Sequence, residues 1–245
     1  MNRQGPIRAL FWKEVRQLSR SRGALLTSLF FPFALLVLLP GAQLMSRTST
    51  GPDMAVAAVP GLIGLHTLPE FLLFFSFPLF YVLAGLMTPS LAATYTVVGE
   101  RERRSLELLM TLPVSVREIL TAKLAANLAT ACVALLPLFA VNAALVLMVA
   151  GAGALYVLAA LLLLLSALAS SVGVSLLLAL LARDLRTSNN LSGLAIPPVM
   201  LVTAMCVVLV PGLGRFFVLS TLLLLLTAIT VVTCMRWLTF ERYLS

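Results

Sequence analysis

With 61% hydrophobic and only 11% charged residues over 245 positions, and a mean hydropathy of +1.08, this chain carries more apolar surface than a water-soluble fold can hide. Globular domains are about half apolar and about a quarter charged. A net charge of +8 would suggest nucleic acid in a soluble protein, but in so apolar a chain the cations are read by their position between apolar runs, and no nucleic-acid partner is expected.

The apolar runs lack the alternation of barrel strands, and backbone amides in lipid need internal partners. An all-α membrane protein is therefore expected, forming a single transmembrane domain over residues 1–245. The N-terminal stretch shows no convincing cleavable signal, because the apolar run after it is long and lacks a clean small-residue cleavage site.

In chain order, residues 1–22 come first. From Pro6 to Arg22, apolar Ile7, Leu10, Phe11, Val15 and Leu18 alternate at roughly helical spacing with Arg8, Lys13, Arg16, Arg20 and Arg22. This predicts an amphipathic interfacial helix on the membrane surface, with Phe11 and Trp12 near headgroup level. Six spans follow. The first, about Ala24 to Met45, contains Pro32 and Pro40; a polar loop with Arg47, Asp53 and His66 leads to the second, about Glu70 to Val98, with Pro78 and Pro89. The second exceeds the roughly 20 residues a crossing needs, so tilt or a proline kink is expected.

A charged segment, residues 99–123, precedes the third span, about Leu124 to Val149. A Gly/Ala turn at Gly151 to Ala154 enters the fourth, ending near Ala182, and the polar loop Arg183 to Asn190 precedes the fifth, Leu191 to Val210. The turn from Pro211 to Arg215 enters the sixth, ending near Met235. On this layout 15 of the 17 Lys and Arg residues lie on one side, leaving only Arg47 and Arg215 opposite. Basic short loops stay cytoplasmic, so both termini are expected in the cytoplasm, with the chain in the inner (cytoplasmic) membrane.

Residues 99–123 have internal order. After the charged run Glu100, Arg101, Glu102, Arg103 and Arg104, the residues Leu106, Leu109 and Met110 fall at helical spacing with Glu107 opposite. A short amphipathic helix is predicted at the cytoplasmic face, stopped by Pro113. Ser115 and Glu118 form a capping box, with Val114 and Ile119 as a hydrophobic staple, so the third span's helix should begin just after Ser115. Topology alone needs a few cations. It does not need interleaved glutamates and a cap. A stiff helix–turn–helix at the surface is instead what receives displacement from a soluble motor.

The stretch from Glu100 to Ser115, Glu-Arg-Glu-Arg-Arg-Ser-Leu-Glu-Leu-Leu-Met-Thr-Leu-Pro-Val-Ser, resembles the signature of ABC-2 type transporter permeases, with Arg104-Ser105 where the family often has Gly-Thr. The basic amphipathic N-terminus, six spans and the tail ending Phe240-Glu241-Arg242 extend the resemblance over the chain. It implies a membrane permease subunit of an ABC exporter, working with a separate cytoplasmic ATP-binding subunit and a second permease copy or paralogue. Glu100 to Met110 would be the coupling helix, and residues 6–22 would cradle the ATPase. ATP and Mg would then be held by the partner, and no cofactor by this chain. A haem- or cytochrome-assembly permease, or a non-transporting scaffold or sensor that docks an ATPase, are the alternatives.

This chain is not expected to be an enzyme. No GxxxxGK[ST] loop is present, and its lysines, Lys13 and Lys123, do not follow a glycine. His66 with Glu70 offers too few ligands for a metal. Cys132, Cys206 and Cys234, with no CxxC spacing, are read as packing residues. Tyr95, Asn127 and Asn142 are candidates to line a pathway, with bonding across helices as the alternative for the two asparagines. Ser166, Ser170, Ala169 and Gly173 are read as close helix packing.

Overall fold

The computed structural model describes residues 12, 16, 29–50, 68–102, 116–181 and 185–237. Among them there are six long helices and no strand. Helix α1 covers residues 29–50, passing through a π-helical turn at Ala34–Leu38 into Leu39–Thr50. Helix α2 covers residues 68–102: Leu68–Phe71, a π-helical turn at Leu72–Ser76, then Phe77–Glu102. Helices α3 (Val116–Val149), α4 (Ala154–Leu181), α5 (Leu185–Leu209) and α6 (Gly214–Trp237) complete the set. Of the N-terminal stretch, Trp12 and Arg16 are helical and exposed, one turn apart; the remainder lies outside the described residues.

Four helices contain stretches long and apolar enough to cross a membrane: Leu72–Pro89, Leu124–Val149, Ala154–Ser175 and Gly214–Cys234. The apolar parts of α1 and α5, Leu29–Met45 and Gly193–Leu209, are shorter. At 1.5 Å per residue each reaches about 26 Å, a little under the roughly 30 Å hydrocarbon core. Polar residues trim them: Ser46 and Arg47 in α1, Asn189, Asn190 and Ser192 in α5.

The helices overrun the limits read from the apolar pattern. Residues 99–102 continue α2 rather than opening a separate segment, and α5 includes Leu185 onward, so most of the predicted polar loop is helix. An apolar run marks where lipid ends. Glu, Arg and Leu are good helix formers and continue the hydrogen-bond ladder past that point. Two predicted turns are where expected. Gly151 (φ +65°) lies between α3 and α4, and Gly212 (φ +60°) lies between α5 and α6. Both adopt the left-handed conformation that glycine takes without a Cβ clash.

Helix α4 is the centre of the bundle. Its buried residues Tyr156, Ala159, Ala160, Leu163, Leu164, Ala167 and Leu168 recur at helical spacing and meet α2, α3 and α6. Small residues set the approach. A Cβ on Gly85 of α2 would stand 2.6 Å from the Cβ of Ala167, and one on Gly173 of α4 would stand 2.6 Å from Oγ1 of Thr230 in α6. Ser166 and Ser170 bond back to the carbonyls of Leu163 (2.8 Å) and Ala167 (2.9 Å) on their own helix, which leaves the α4 faces free to pack. Because backbone atoms of α4 also crowd Gly85, Gly85→Val should force α2 away. The expected loss is about 1–3 kcal/mol, read as earlier unfolding in an SDS titration of the purified protein. Wild-type resistance to SDS would mean that α2 and α4 do not approach this closely.

Candidate functional site

The polar chemistry at the end of the bundle that carries the two glycine turns starts from two prolines. In each π-helical turn the residue before a proline donates its N–H five residues back: Leu39 to Ala34 and Phe77 to Leu72. The next residues, Pro40 and Pro78, have no N–H to give. The carbonyls of Leu36 and Phe74, four residues before them, therefore lack the donor an α-helix would supply. In lipid there is no water to replace it.

Side chains from other helices supply it. Asn142 Nδ2 of α3 donates to the Leu36 carbonyl at 2.7 Å, and a guanidinium N–H of Arg215 from α6 donates to the Phe74 carbonyl. The neighbouring Leu73 carbonyl accepts the Tyr156 hydroxyl of α4 at 2.7 Å. Tyr81 of α2 closes the set by donating to Asn142 Oδ1 at 2.7 Å. One clasp thus ties α1, α2, α3, α4 and α6 together, through side-chain donors that are all buried.

An aromatic frame surrounds it. The Arg215 guanidinium lies 5.3 Å from the centroid of the Phe74 ring, a cation–π distance. Tyr156 stands edge-on to Phe216 (5.1 Å) and to Phe74 (5.9 Å), and Tyr81 edge-on to Phe139 (5.7 Å). Arg215, read from the sequence as a turn residue, is the second residue of α6 and only 1% exposed. A position beside the Pro-Gly-Leu-Gly turn says nothing about which way a long side chain folds, and here it folds inward onto α2.

A second, smaller set of polar contacts lies towards the charged end, around Pro89. Ser171 of α4 donates to the Leu86 carbonyl at 2.5 Å, and Asn127 Nδ2 of α3 reaches the Pro89 carbonyl at 3.4 Å, leaving Asn127 Oδ1 buried without a partner. Beside it a small recess opens between α2, α4, α5 and α6. Apart from Ser171 and Ser175 its walls are apolar, among them Leu86, Leu178, Val199 and Leu226.

The residues proposed from sequence fall into three groups. Asn142 sits at the heart of the clasp, and Asn127 lies about 22 Å away along α3 at 1.5 Å per residue, so the two do not share a site. Tyr95 is in α2, and Glu100, Arg101 and Glu102 form its last residues; Glu118 lies in the first turn of α3, which starts at Val116, directly after Ser115. Arg103, Arg104, Glu107, Leu109, Met110, Pro113 and Ser115 lie outside the described residues, as does His66. Tyr81, Tyr156 and Arg215 were not singled out by sequence reading. Their signal is indirect: a proline inside an apolar run announces an unmet carbonyl.

The described residues bring no three His, Cys, Asp or Glu side chains together. What the clasp can do is hold helices at fixed register and present a positive charge inside the bundle. The family model described as ABC-2 family transporter protein matches residues 8–238. No curated protein and no solved structure matches the chain.

Proposed function

The chain belongs to the ABC-2 family of transporter proteins, and on that premise we propose that it is the permease subunit of an ATP-driven exporter, moving its substrate outward with a separate cytoplasmic ATP-binding subunit. The observation that carries the reading is the match across residues 8–238; these residues hold no GxxxxGK[ST] loop, so in this reading ATP is bound by a separate subunit. The membrane part consists of six spans with both termini cytoplasmic, as the 15-to-2 division of cations favours. The shorter α1 and α5 cross by local thinning of the bilayer or by pairing with a neighbour. A second permease, a copy or a paralogue, completes the pathway.

In this reading the segment between α2 and α3 receives the motor, and the amphipathic N-terminal helix supports it at the inner membrane surface. Glu100, Arg101, Glu102, Arg103, Arg104, Glu107, Leu109 and Met110 meet the ATPase, while Pro113, Ser115 and Glu118 hold the turn into α3. The outer clasp supports the role of a closed extracytoplasmic gate, since it joins five helices at the end remote from the motor.

Gentle affinity purification of the tagged protein from native membranes tests the proposal. The expected result is an ATP-binding protein at one copy per permease, with vanadate-sensitive hydrolysis in the purified complex. Haem stimulating that hydrolysis would move the assignment to cofactor assembly. Recovery without any ATPase would withdraw the exporter reading and leave the charged segment as a docking surface for something else.

A further inference from the structure

Arg215 brings into the bundle a charge that its described polar partners do not neutralise. Those partners are the carbonyl and the ring of Phe74, not a carboxylate. Its Nε is buried with no partner at all. A guanidinium has five N–H donors and keeps its proton in proteins, so it cannot escape by becoming neutral. Capping Phe74 does not require a cation. Tyr156 serves the adjacent Leu73 carbonyl, and Asn142 serves the equivalent Leu36 carbonyl, with uncharged groups. Burying an unpaired charge costs far more than one such hydrogen bond contributes. The cation therefore has a use beyond capping.

Its position points to an anion. Arg215 lies in the first turn of α6, where unpaired N–H groups and the helix dipole add positive potential. Phe217 and Val218, in the same turn but on the outward face of α6, are exposed and apolar, so an apolar tail can lie along α6 while the cation stays on its inward face. We propose that Arg215 and the N-terminus of α6 form the recognition site for the anionic headgroup of an amphiphile, a phosphate or carboxylate carried on an apolar tail. The proposal rests on the permease reading for the amphiphile's role as cargo, but binding is measured on this chain alone. When the anion arrives, the guanidinium fork turns from the Phe74 carbonyl to the ligand, which releases one arm of the clasp between α6 and α2.

The test is thermal unfolding of the full-length protein in zwitterionic lipid nanodiscs, titrated with dodecyl phosphate, dodecanol, dodecyltrimethylammonium and inorganic phosphate. Dodecyl phosphate should raise the midpoint saturably, by several degrees, with no comparable shift from the other three. Arg215→Gln should abolish the shift, and Arg215→Lys, which keeps the charge without the planar fork, should weaken apparent affinity about tenfold. An undiminished shift in Arg215→Gln overturns the proposal. So does equal stabilisation by dodecanol, which needs no variant and decides the matter even if Arg215→Gln does not fold. Equal stabilisation by inorganic phosphate overturns the requirement for a tail. Because the ATPase is recovered in a separate purification, failure here with a bound ATPase present removes the anion site and leaves the permease role standing.

Discussion

Asn142→Leu is expected to lower the unfolding free energy of the purified protein by about 2–6 kcal/mol, from two buried groups left unmet at about 1–3 kcal/mol each. Hydrogen bonds between membrane helices average only about 0.6 kcal/mol, with a maximum near 1.7, because a helix released from its neighbours usually finds other partners. That escape is narrower here. The Leu36 carbonyl has no N–H from Pro40 to fall back on, and the Tyr81 hydroxyl loses the acceptor it holds at 2.7 Å. The same logic supplies a rescue. Pro40→Ala restores a backbone donor to Leu36, so it should recover part of the loss in the Asn142→Leu background while giving little benefit with Asn142 in place. A double-mutant cycle measured by SDS unfolding reads this as a coupling energy. Strictly additive effects of the two changes would mean that Asn142 does not serve the carbonyl Pro40 leaves open.

Reversal of charge at the other end of α2 should act on transport rather than on folding. Glu100→Lys with Glu102→Lys is expected to lower substrate moved per ATP hydrolysed by tenfold or more, since mismatching a single docking charge pair costs several kcal/mol and about 1.4 kcal/mol is already tenfold. The protein should still reach the membrane in normal amount. The physical link is the continuity of α2. From Phe77 to Glu102 it runs as one helix of 26 residues, about 39 Å at 1.5 Å per residue, with Pro89 as its internal proline. A displacement at Glu102 thus reaches the turn whose carbonyls hold Tyr156 and Arg215. Reconstitution with the ATP-binding subunit in liposomes, scoring hydrolysis and substrate movement together, decides it. Undisturbed coupling in the double variant would take the motor contact away from this end of α2.

Much of this is local and therefore legible in the amino acids. Lipid chemistry requires every apolar run to be helical, so helix type follows from composition, and the two tight turns follow from Gly151 and Gly212. Helix ends at residues 99–102 and 185–190 were misjudged, because hydropathy reports the lipid boundary and the hydrogen-bond ladder ignores it.

The clasp was only half visible. Pro40 and Pro78 by themselves determine that Leu36 and Phe74 carry unmet carbonyls, since a proline nitrogen has no hydrogen in any fold. Which donors meet them is a different kind of fact. Asn142 and Asn127 look alike in sequence, yet one completes the clasp and the other is left with a bare Oδ1. Arg215 reads as a turn cation until α6 is laid against α2. Those pairings span up to 141 residues, and only the packing of α4 between its neighbours brings the groups within hydrogen-bond range, because such bonds fail beyond about 3.5 Å whatever the residues' chemistry.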